Sequence, residues 1–325
     1  MVQVVRKSPP TEIVYSVDPS LRDVELYLNQ TGILTHLDSI PGLDQRVRSL
    51  AAGYNAIIRD MAEFMGTETT PQMRESAVLF GALARYGDWL ADEHKSGDHL
   101  GNKMLEHVRG HSNGTEPNEL HGVDEMISKF EKLYPRGGNS DLYRLCEEAY
   151  AALTANGPGK GFKDHEELVR VTNIQGAYPM LALTQMIGAI RDDPEVKKFC
   201  SYVMENPGYN PFSDKSGQYS LAQLSAAQLT PLTVAQIAHA YGWLLIRGDA
   251  IHDTELDQQF GITTLATKGL YSLGLYSLQK LEADYAEFME AVTSISGQKI
   301  VESGMFQLLK QTLFDPKKDY PKNAM

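Results

Sequence analysis

Apolar residues recur at every third or fourth position through nearly every segment between Gly or Pro breaks, and alternating β-branched runs are almost absent. This pattern predicts an all-helical chain. The predicted helices cover residues 20–38, 43–66, 71–95, 101–109, 121–134, 139–155, 164–192, 194–204, 220–257, 261–293 and 296–314. Thr70 and Thr230 each precede a proline and are predicted helix caps, the second dividing 220–257 into two helices.

Stretches rich in Gly, Pro, Asn and Ser predict three loops, at His111–Gly122, Asn156–Lys163 and Glu205–Gly217. The helical period resumes after each loop, so none of them is expected to separate domains. We therefore expect a single all-helical domain over residues 1–325, a bundle of about ten helices. Residues 1–19 are predicted to form an N-terminal arm and residues 315–325 a C-terminal tail.

Two aspartates end an apolar stripe in the first half of the chain. Asp88 and Asp92 are four residues apart, so they lie on one face of a helix. The residues that precede Asp88 on that face are apolar or small: Ala77, Phe80, Gly81 and Ala84. Because such a stripe normally faces the core, both aspartates are predicted to point inward.

A second stripe repeats this arrangement in the later part of the chain. Asp249, Asp253 and Asp257 follow one another at four-residue steps on one helical face. The residues that precede Asp249 on this face are again apolar or small: Ala238, Tyr241, Gly242 and Leu245. The small residues on both stripes would leave room between the two helices, which predicts a central apolar cavity.

Like charges four residues apart destabilise a helix by about 0.2–0.5 kcal/mol per pair, so the acidic faces need compensation. Divalent cations would supply it. Mg²⁺ binds carboxylates, keeps several waters and bridges to substrate phosphates, so two facing acidic clusters could hold a diphosphate. The alternative is that each Asp pair lies on a solvated helix surface.

Composition removes several classes of function. The 325 residues carry a net charge of -12, which disfavours nucleic acid as a partner. Two cysteines, Cys146 and Cys200, are too few for a disulfide framework, which favours a cytoplasmic location. No apolar stretch approaches the ~20 residues of a membrane-spanning helix, so stable membrane insertion is not expected. A homodimer remains open.

The two acidic segments resemble the paired Asp-rich motifs of the trans-isoprenoid (class I terpene) synthase fold. DWLAD at 88–92 is similar to the first motif of that fold, and DAIHDTELD at 249–257 to the second. Within the superfamily, the chain is most similar to bacterial large-terpene cyclases of the tetraprenyl-beta-curcumene synthase type. The further segments that carry this resemblance are IPGLDQRVRSLAAGYNAI, GGNSDLYRLCEEAYAAL and LLIRGDAIHDTELDQQFG.

The resemblance implies a Mg²⁺-dependent enzyme, a carbon-oxygen lyase that ionises an allylic prenyl diphosphate and then cyclises or eliminates the carbocation. It makes Asp88, Asp92, Asp249 and Asp253 the catalytic metal ligands, with Asp257 as a further ligand. The residues expected to line the substrate pocket are Phe80, Gly81, Ala84, Tyr178, Tyr241, Gly242 and Leu245.

Basic residues near the motifs are candidates for holding the diphosphate. Arg85 lies three residues before Asp88 and can reach the same rim, and Lys268 follows the second motif. Arg247 lies two residues before Asp249, so it should face away and serve at the surface or in helix pairing. Pro179 lies inside a strongly helical run, where a kink or break is expected.

Other functions stay open from the sequence alone. Trp89 and Ala250 replace residues usual in chain-elongating synthases, yet a prenyltransferase of the elongating or squalene/phytoene type remains an alternative. The His252-Asp253 pair is also found in metal phosphohydrolases of the HD type. A non-catalytic helical binding protein is the remaining alternative.

Overall fold

The computed structural model describes residues 18–33, 37, 42–92, 97–111, 120, 122–155, 162–213, 217–224, 228–260, 276–296 and 302–314. For residues 18–21, 91–92, 97–98, 222, 251–260 and 296 it describes the backbone alone. Every regular element among these residues is a helix, and no strand occurs among them. The prediction of an all-helical chain is therefore confirmed.

The described α-helices are numbered here in chain order. They are α1 (Asp18–Asn29), α2 (Leu43–Phe64), α3 (Pro71–Asp92), α4 (Gly97–Val108), α5 (Val123–Leu133), α6 (Ser140–Ala155), α7 (His165–Gln185), α8 (Gly188–Arg191), α9 (Pro194–Glu205), α10 (Leu221–Leu224), α11 (Pro231–Phe260), α12 (Leu278–Ser296) and α13 (Gly304–Phe314).

Side-chain caps fix where several of these helices begin. The hydroxyl oxygen of Thr70 accepts the backbone N–H of Met73 at 3.2 Å, at the start of α3. Thr230 does the same for Thr233 at 3.3 Å, at the start of α11. These bonds satisfy N–H groups that the first turn of a helix leaves without partners. Both predicted caps are confirmed, and the predicted helix over 220–257 is divided as expected.

Several predicted elements differ from the structure. The helix predicted over 20–38 ends at Asn29, and the helix predicted over 296–314 begins only at Gly304. The helix predicted over 164–192 ends at Gln185, and the short helix α8 follows it. The break expected at Pro179 is absent, since α7 continues through this proline. A proline removes one backbone hydrogen bond, and here α7 is held on both sides of it by packing in the core.

Six helices pack as a closed ring of neighbours in the order α3, α2, α13, α11, α7 and α6, with α6 returning to α3. We call this arrangement the six-helix ring. Each neighbouring pair in it is in direct contact, and α2 also touches α7. The two helices that carry the acidic motifs, α3 and α11, are three steps apart in either direction. In the described part of the chain they share no extensive contact.

A single connected core joins these helices. Its largest fully buried side chains come from several parts of the chain: Trp243, Tyr86, Tyr178, Tyr241, Phe199, Phe288 and Phe306. Glycines allow the closest approaches. A Cβ atom on Gly81 would lie 2.8 Å from the Cα of Ala51, so α3 and α2 meet backbone to backbone there. One compact domain therefore accounts for the described helices.

Candidate functional site

The first acidic stripe runs from the core of the molecule to its rim. On α3, Ala77 and Phe80 are buried, whereas Ala84 and Asp88 are half-buried. The side chain of Asp88 is 31% exposed. Asp92 lies four residues further along the same helix, and the structure describes only its backbone. The carboxylate of Asp88 therefore lies where an apolar face of the helix opens towards solvent.

The second stripe has the same course along α11. Ala238 and Tyr241 are buried, and Leu245 and Asp249 are half-buried. The two stripes also correspond residue for residue at identical spacing, pairing Ala77 with Ala238, Phe80 with Tyr241, Gly81 with Gly242, Ala84 with Leu245, Asp88 with Asp249 and Asp92 with Asp253. The two helices thus present one pattern twice, from opposite positions in the six-helix ring.

Asp88 has a cationic partner on its own helix. The guanidinium of Arg85 donates to the Asp88 carboxylate in a close ion pair, one turn away. The prediction that Arg85 reaches the rim beside Asp88 is therefore confirmed as geometry. Both side chains remain partly exposed, so this ion pair is screened by water and contributes little to stability, less than about 1 kcal/mol.

Tyr54 of α2 lies on the inner side of Asp88. Burial raises the pKa of its phenol well above the ordinary 10.0, and the negative charge of Asp88 raises it further. The Tyr54 ring also packs against Phe80 with centroids 5.6 Å apart. The carboxylate of Asp88 thus acts electrostatically on a buried aromatic side chain of a neighbouring helix.

Tyr150 of α6 completes this inner side. A Cβ atom on Gly87 would lie 2.9 Å from the Tyr150 ring, so the residue next to Asp88 packs directly on it. The Tyr150 hydroxyl is buried and has no hydrogen-bond partner among the described residues. Burial raises its pKa, and the nearby Cys146 and Tyr54 raise it further. Sequence analysis missed Tyr54 and Tyr150; the glycine before Asp88 was the available signal that a large side chain packs there.

Asp249, like Asp88, comes directly after a glycine that packs on a neighbouring helix. Gly248 precedes it and packs against Leu313 of α13, where an added Cβ would lie 3.4 Å from the Leu313 Cα and overlap its side chain. Asp253 and Asp257 follow on the same helix, which continues to Phe260. Their side chains lie outside the description, as does the whole of Lys268.

Arg247 points away from the aspartate face, as predicted, and it pairs helices. Its guanidinium donates to the Asn173 Oδ1 of α7 at 2.6 Å. The alternative of a surface position is wrong, because Arg247 is only 3% exposed. The reason is that α11 is covered by neighbouring helices on more than one side, so a residue that faces away from the ring still lies in the core.

Several residues predicted to line the substrate pocket have packing roles in the structure. Gly242 packs against Gly176 of α7, and an added Cβ would lie 2.8 Å from the carbonyl carbon of Gly176. The hydroxyl of Tyr178 donates to the carbonyl of Val203 at 3.1 Å, and that of Tyr241 donates to the carbonyl of Met305 at 3.2 Å. That these residues line a substrate pocket stays a prediction.

The described side chains include two of the five predicted Mg²⁺ ligands, Asp88 and Asp249. Among the side chains that the structure describes, no three from His, Cys, Asp and Glu come together as a metal site requires. Three of the five predicted ligands, Asp92, Asp253 and Asp257, have undescribed side chains. Their backbone positions are described, however: α3 is helical up to Asp92, and α11 is helical through both Asp253 and Asp257. Carboxylates at successive turns of a continuous helix suit a hard cation such as Mg²⁺.

Similarity to known proteins adds no evidence about the function of this chain. No protein-family model, curated protein or solved structure matches the chain. None of the helices in the described ranges is both long and apolar enough to cross a membrane.

Proposed function

We propose that this protein is a Mg²⁺-dependent terpene synthase. In this proposal it ionises an allylic prenyl diphosphate and then cyclises the resulting carbocation or removes a proton from it. One observation carries the proposal: α3 and α11 present the same stripe, from buried apolar residues to a half-buried aspartate, from opposite positions in the six-helix ring. Two acidic rims above one apolar interior suit a substrate with a charged diphosphate and a hydrocarbon chain.

The aspartates divide the binding of the diphosphate between the two helices. Asp88 and Asp92 would hold Mg²⁺ on the α3 side, and Asp249 and Asp253 would do so on the α11 side, with Asp257 available one turn further. Bound Mg²⁺ neutralises the diphosphate and makes it a better leaving group. Neither pair alone would surround a diphosphate, so both helices are required.

Arg85 has a role at the same rim. In the structure its guanidinium neutralises Asp88. When a cation occupies Asp88, the same guanidinium would donate instead to the diphosphate oxygens, which are strong acceptors for arginine. Arg85 would therefore exchange one anionic partner for another as the site fills.

The interior beside Asp88 suits a carbocation. Phe80 and Tyr54 place two aromatic rings there, and a ring face attracts a cation by about 0.5–2 kcal/mol. Both rings are buried, which keeps water from quenching the cation early. The half-buried Ala84 lies between Phe80 and Asp88 on the same face of α3.

The decisive experiment measures diphosphate release from a panel of allylic prenyl diphosphates, from geranyl to heptaprenyl, with and without Mg²⁺. Products are extracted and identified by mass spectrometry. The proposal predicts Mg²⁺-dependent release and a terpene hydrocarbon or alcohol from one preferred chain length. Release only when a second prenyl substrate is present would instead indicate a prenyltransferase. If no substrate reacts under either condition, the terpene synthase proposal is wrong.

A further inference from the structure

A small polar cavity lies at the N-terminal end of α6. Its volume is about 240 Å³, and its walls come from the turn before α6, from the first turn of α6 and from residues of α7, α8 and α9. Among the described residues that line it, only Leu142 has an apolar side chain. A volume of this size holds several water molecules at about 30 Å³ each, so a small polar ligand fits.

This cavity is remote from the aspartate motifs. Asp141, in its wall, precedes Tyr150 on α6 by nine residues, which is about 14 Å along the helix. Tyr150 is the residue of α6 that packs at Gly87, beside Asp88. Every segment that lines the cavity belongs to the continuously described ranges 122–155 and 162–213. The cavity is therefore a separate site from the proposed active site.

Gln185, the last residue of α7, brings a buried amide to the cavity wall. The residue is only 2% exposed. Its Nε2 has two distant acceptors, the Oγ1 of Thr184 at 3.4 Å and the Sγ of Cys200 at 3.5 Å. Its Oε1 accepts no hydrogen bond within the described chain. Buried polar groups are nearly always hydrogen-bonded, so this carbonyl oxygen calls for a donor inside the cavity.

Asp141, in the first turn of α6, supplies a second acceptor. It is half-buried, and its carboxylate forms no hydrogen bond or ion pair within the described chain. Burial, together with the negative charge of Asp141, raises the pKa of the Cys200 thiol to about 12. Cys200 is also the neighbour of the Gln185 amide, so Asp141 and Gln185 lie on the same side of the cavity. Two acceptors, one of them charged, suit an ammonium group of a ligand.

The cavity also has a cationic side, formed by Arg191 and Lys197. The Arg191 guanidinium donates to both carboxylate oxygens of Asp192, at 3.0 and 3.3 Å, and to the Oδ1 of Asn139 at 3.3 Å. These three bonds leave two of its five N–H donors for a ligand. The ammonium of Lys197, on α9, forms no ion pair within the described chain. This side therefore offers donors to an anionic group.

The balance of charge selects the class of ligand. Arg191 and Asp192 neutralise each other, which leaves one positive charge, on Lys197, and one negative charge, on Asp141. A simple anion would be repelled by Asp141, and a simple cation would be repelled by Lys197. A zwitterion gives each of these two charges a partner. An α-amino acid carries its ammonium and carboxylate on one carbon atom, so it is small enough for this cavity.

We propose that the cavity at the start of α6 binds a small α-amino acid. The ammonium group of the ligand would donate to the Asp141 carboxylate and to the Oε1 of Gln185. Its carboxylate would accept from the Lys197 ammonium and from the remaining N–H groups of Arg191. The volume and the polar walls favour a short side chain, as in glycine, alanine or serine. This inference does not depend on the proposed terpene synthase activity.

The test is equilibrium binding to the full chain at constant ionic strength, by calorimetry and by thermal unfolding. The probes are glycine, L-alanine and L-serine. We expect saturable binding of at least one of them at concentrations up to about 10 mM, with a rise in the unfolding temperature, because a ligand that binds only the folded state stabilises it. Propionate lacks the ammonium of alanine and ethylamine lacks its carboxylate, so each should bind at least about tenfold more weakly than alanine. Inorganic phosphate and L-phenylalanine should also bind more weakly.

Variants locate the site. Asp141→Asn removes the charge, and Gln185→Met removes the carbonyl while keeping the length of the side chain; each should weaken amino-acid binding by about tenfold or more. Lys197→Gln should weaken it as well. Lys198→Gln is the matched control, since Lys198 lies next to Lys197 on α9 and pairs with Glu195 at 2.7 Å. This variant should bind as the wild type does.

The proposal is overturned if none of the three amino acids binds saturably, or if propionate, ethylamine or phosphate binds as tightly as the best of them. It is also overturned if Asp141→Asn and Lys197→Gln bind as the wild type does. Both of these side chains are at least partly exposed, so the two variants should fold even if Gln185→Met does not.

Discussion

Gly242 of α11 packs directly on the backbone of Gly176 in α7, and a Cβ atom on Gly242 would lie 2.8 Å from the Gly176 carbonyl carbon. Backbone atoms cannot move aside as a flexible side chain can. We therefore expect Gly242→Ala to lower the free energy of unfolding by about 3 kcal/mol, measured by urea denaturation.

The control for this substitution is Gly53→Ala in α2. An added Cβ there would lie 3.5 Å from a Leu308 methyl group, an ordinary contact. Because alanine favours a helix over glycine, this variant should be about 0.5–1 kcal/mol more stable than the wild type. Equal changes in the free energy of unfolding for the two variants would show that α7 and α11 do not meet backbone to backbone at Gly242.

Asp88→Asn and Asp249→Asn test the proposed activity. Each removes one charged ligand while keeping size and shape, so we expect kcat for diphosphate release to fall by about 100-fold or more with the far-ultraviolet circular dichroism unchanged. Glu290→Gln serves as the control, since Glu290 is an exposed carboxylate on α12. Full activity in both aspartate variants would contradict the assignment of the motifs.

The variant Arg85→Gln tests whether Arg85 binds Asp88 in the empty site and the diphosphate in the filled site. The variant removes the positive charge that competes with Mg²⁺ for Asp88, so the Mg²⁺ concentration for half-maximal activity should fall. KM for the prenyl diphosphate should rise about tenfold, because a charge-assisted hydrogen bond is lost. Titrations of Mg²⁺ and of substrate give the two constants. A change of both constants in the same direction would contradict an exchange of partners by Arg85.

His239 makes stability depend on pH. Burial and the nearby charge of Arg247 lower its pKa from 6.5 to about 3 in the folded state. Below pH 6.5 the unfolded chain therefore binds a proton that the folded chain does not, and stability falls as the pH falls. At pH 5 the loss should be about 2 kcal/mol relative to pH 7.

His239→Phe identifies the group responsible for this pH dependence. Phenylalanine keeps a ring against Phe199 and Tyr209, whose centroids lie 5.8 and 5.3 Å from the His239 ring. Urea denaturation at pH 7, 6 and 5 should show a smaller loss of stability for this variant. Parallel curves for the variant and the wild type would assign the pH dependence to another residue.

Asp60 attaches the last described helix to the first third of the chain. Its Oδ2 accepts the backbone N–H of Met305 at 2.6 Å, in the first turn of α13. Asp60→Ala should lower the free energy of unfolding by about 1 kcal/mol, as loss of a helix cap does. Asp60→Asn keeps an acceptor oxygen and should lose less. Thermal unfolding of the three proteins compares them directly.

The amino-acid sequence predicts where the helices lie, but it does not predict which helices pack against each other. Periodicity and caps placed α2 and α3 within a few residues of their observed bounds. The helical periodicity also placed Asp88 and Asp249 at the ends of apolar stripes. The decrease in burial along each stripe towards its aspartate confirms this. Periodicity identifies the buried face of a helix but not the helix that covers it. For this reason Tyr54 and Tyr150 were not recognised as neighbours of the Asp88 segment.

Arg247 shows the same limit of sequence-based prediction for a polar residue. Its direction, away from Asp249, follows from helical geometry and was predicted correctly. Its burial depends on α7 and on the α12 segment that begins near Tyr276, which come from distant parts of the chain. A polar residue on a helix that is covered on several sides looks the same in sequence as one that faces solvent.

Helix α13 is the last helix of the six-helix ring in chain order, and this has a consequence for the folding of the newly synthesised chain. This helix touches both α2 and α11, so the ring cannot close until residues 304–314 have left the ribosome. Until then the nascent chain carries α2 and α11 with apolar faces uncovered, a state prone to aggregation. Contacts between such distant segments also slow folding. Chaperones that shield apolar surface during translation should therefore increase the yield of folded protein more than they increase its final stability.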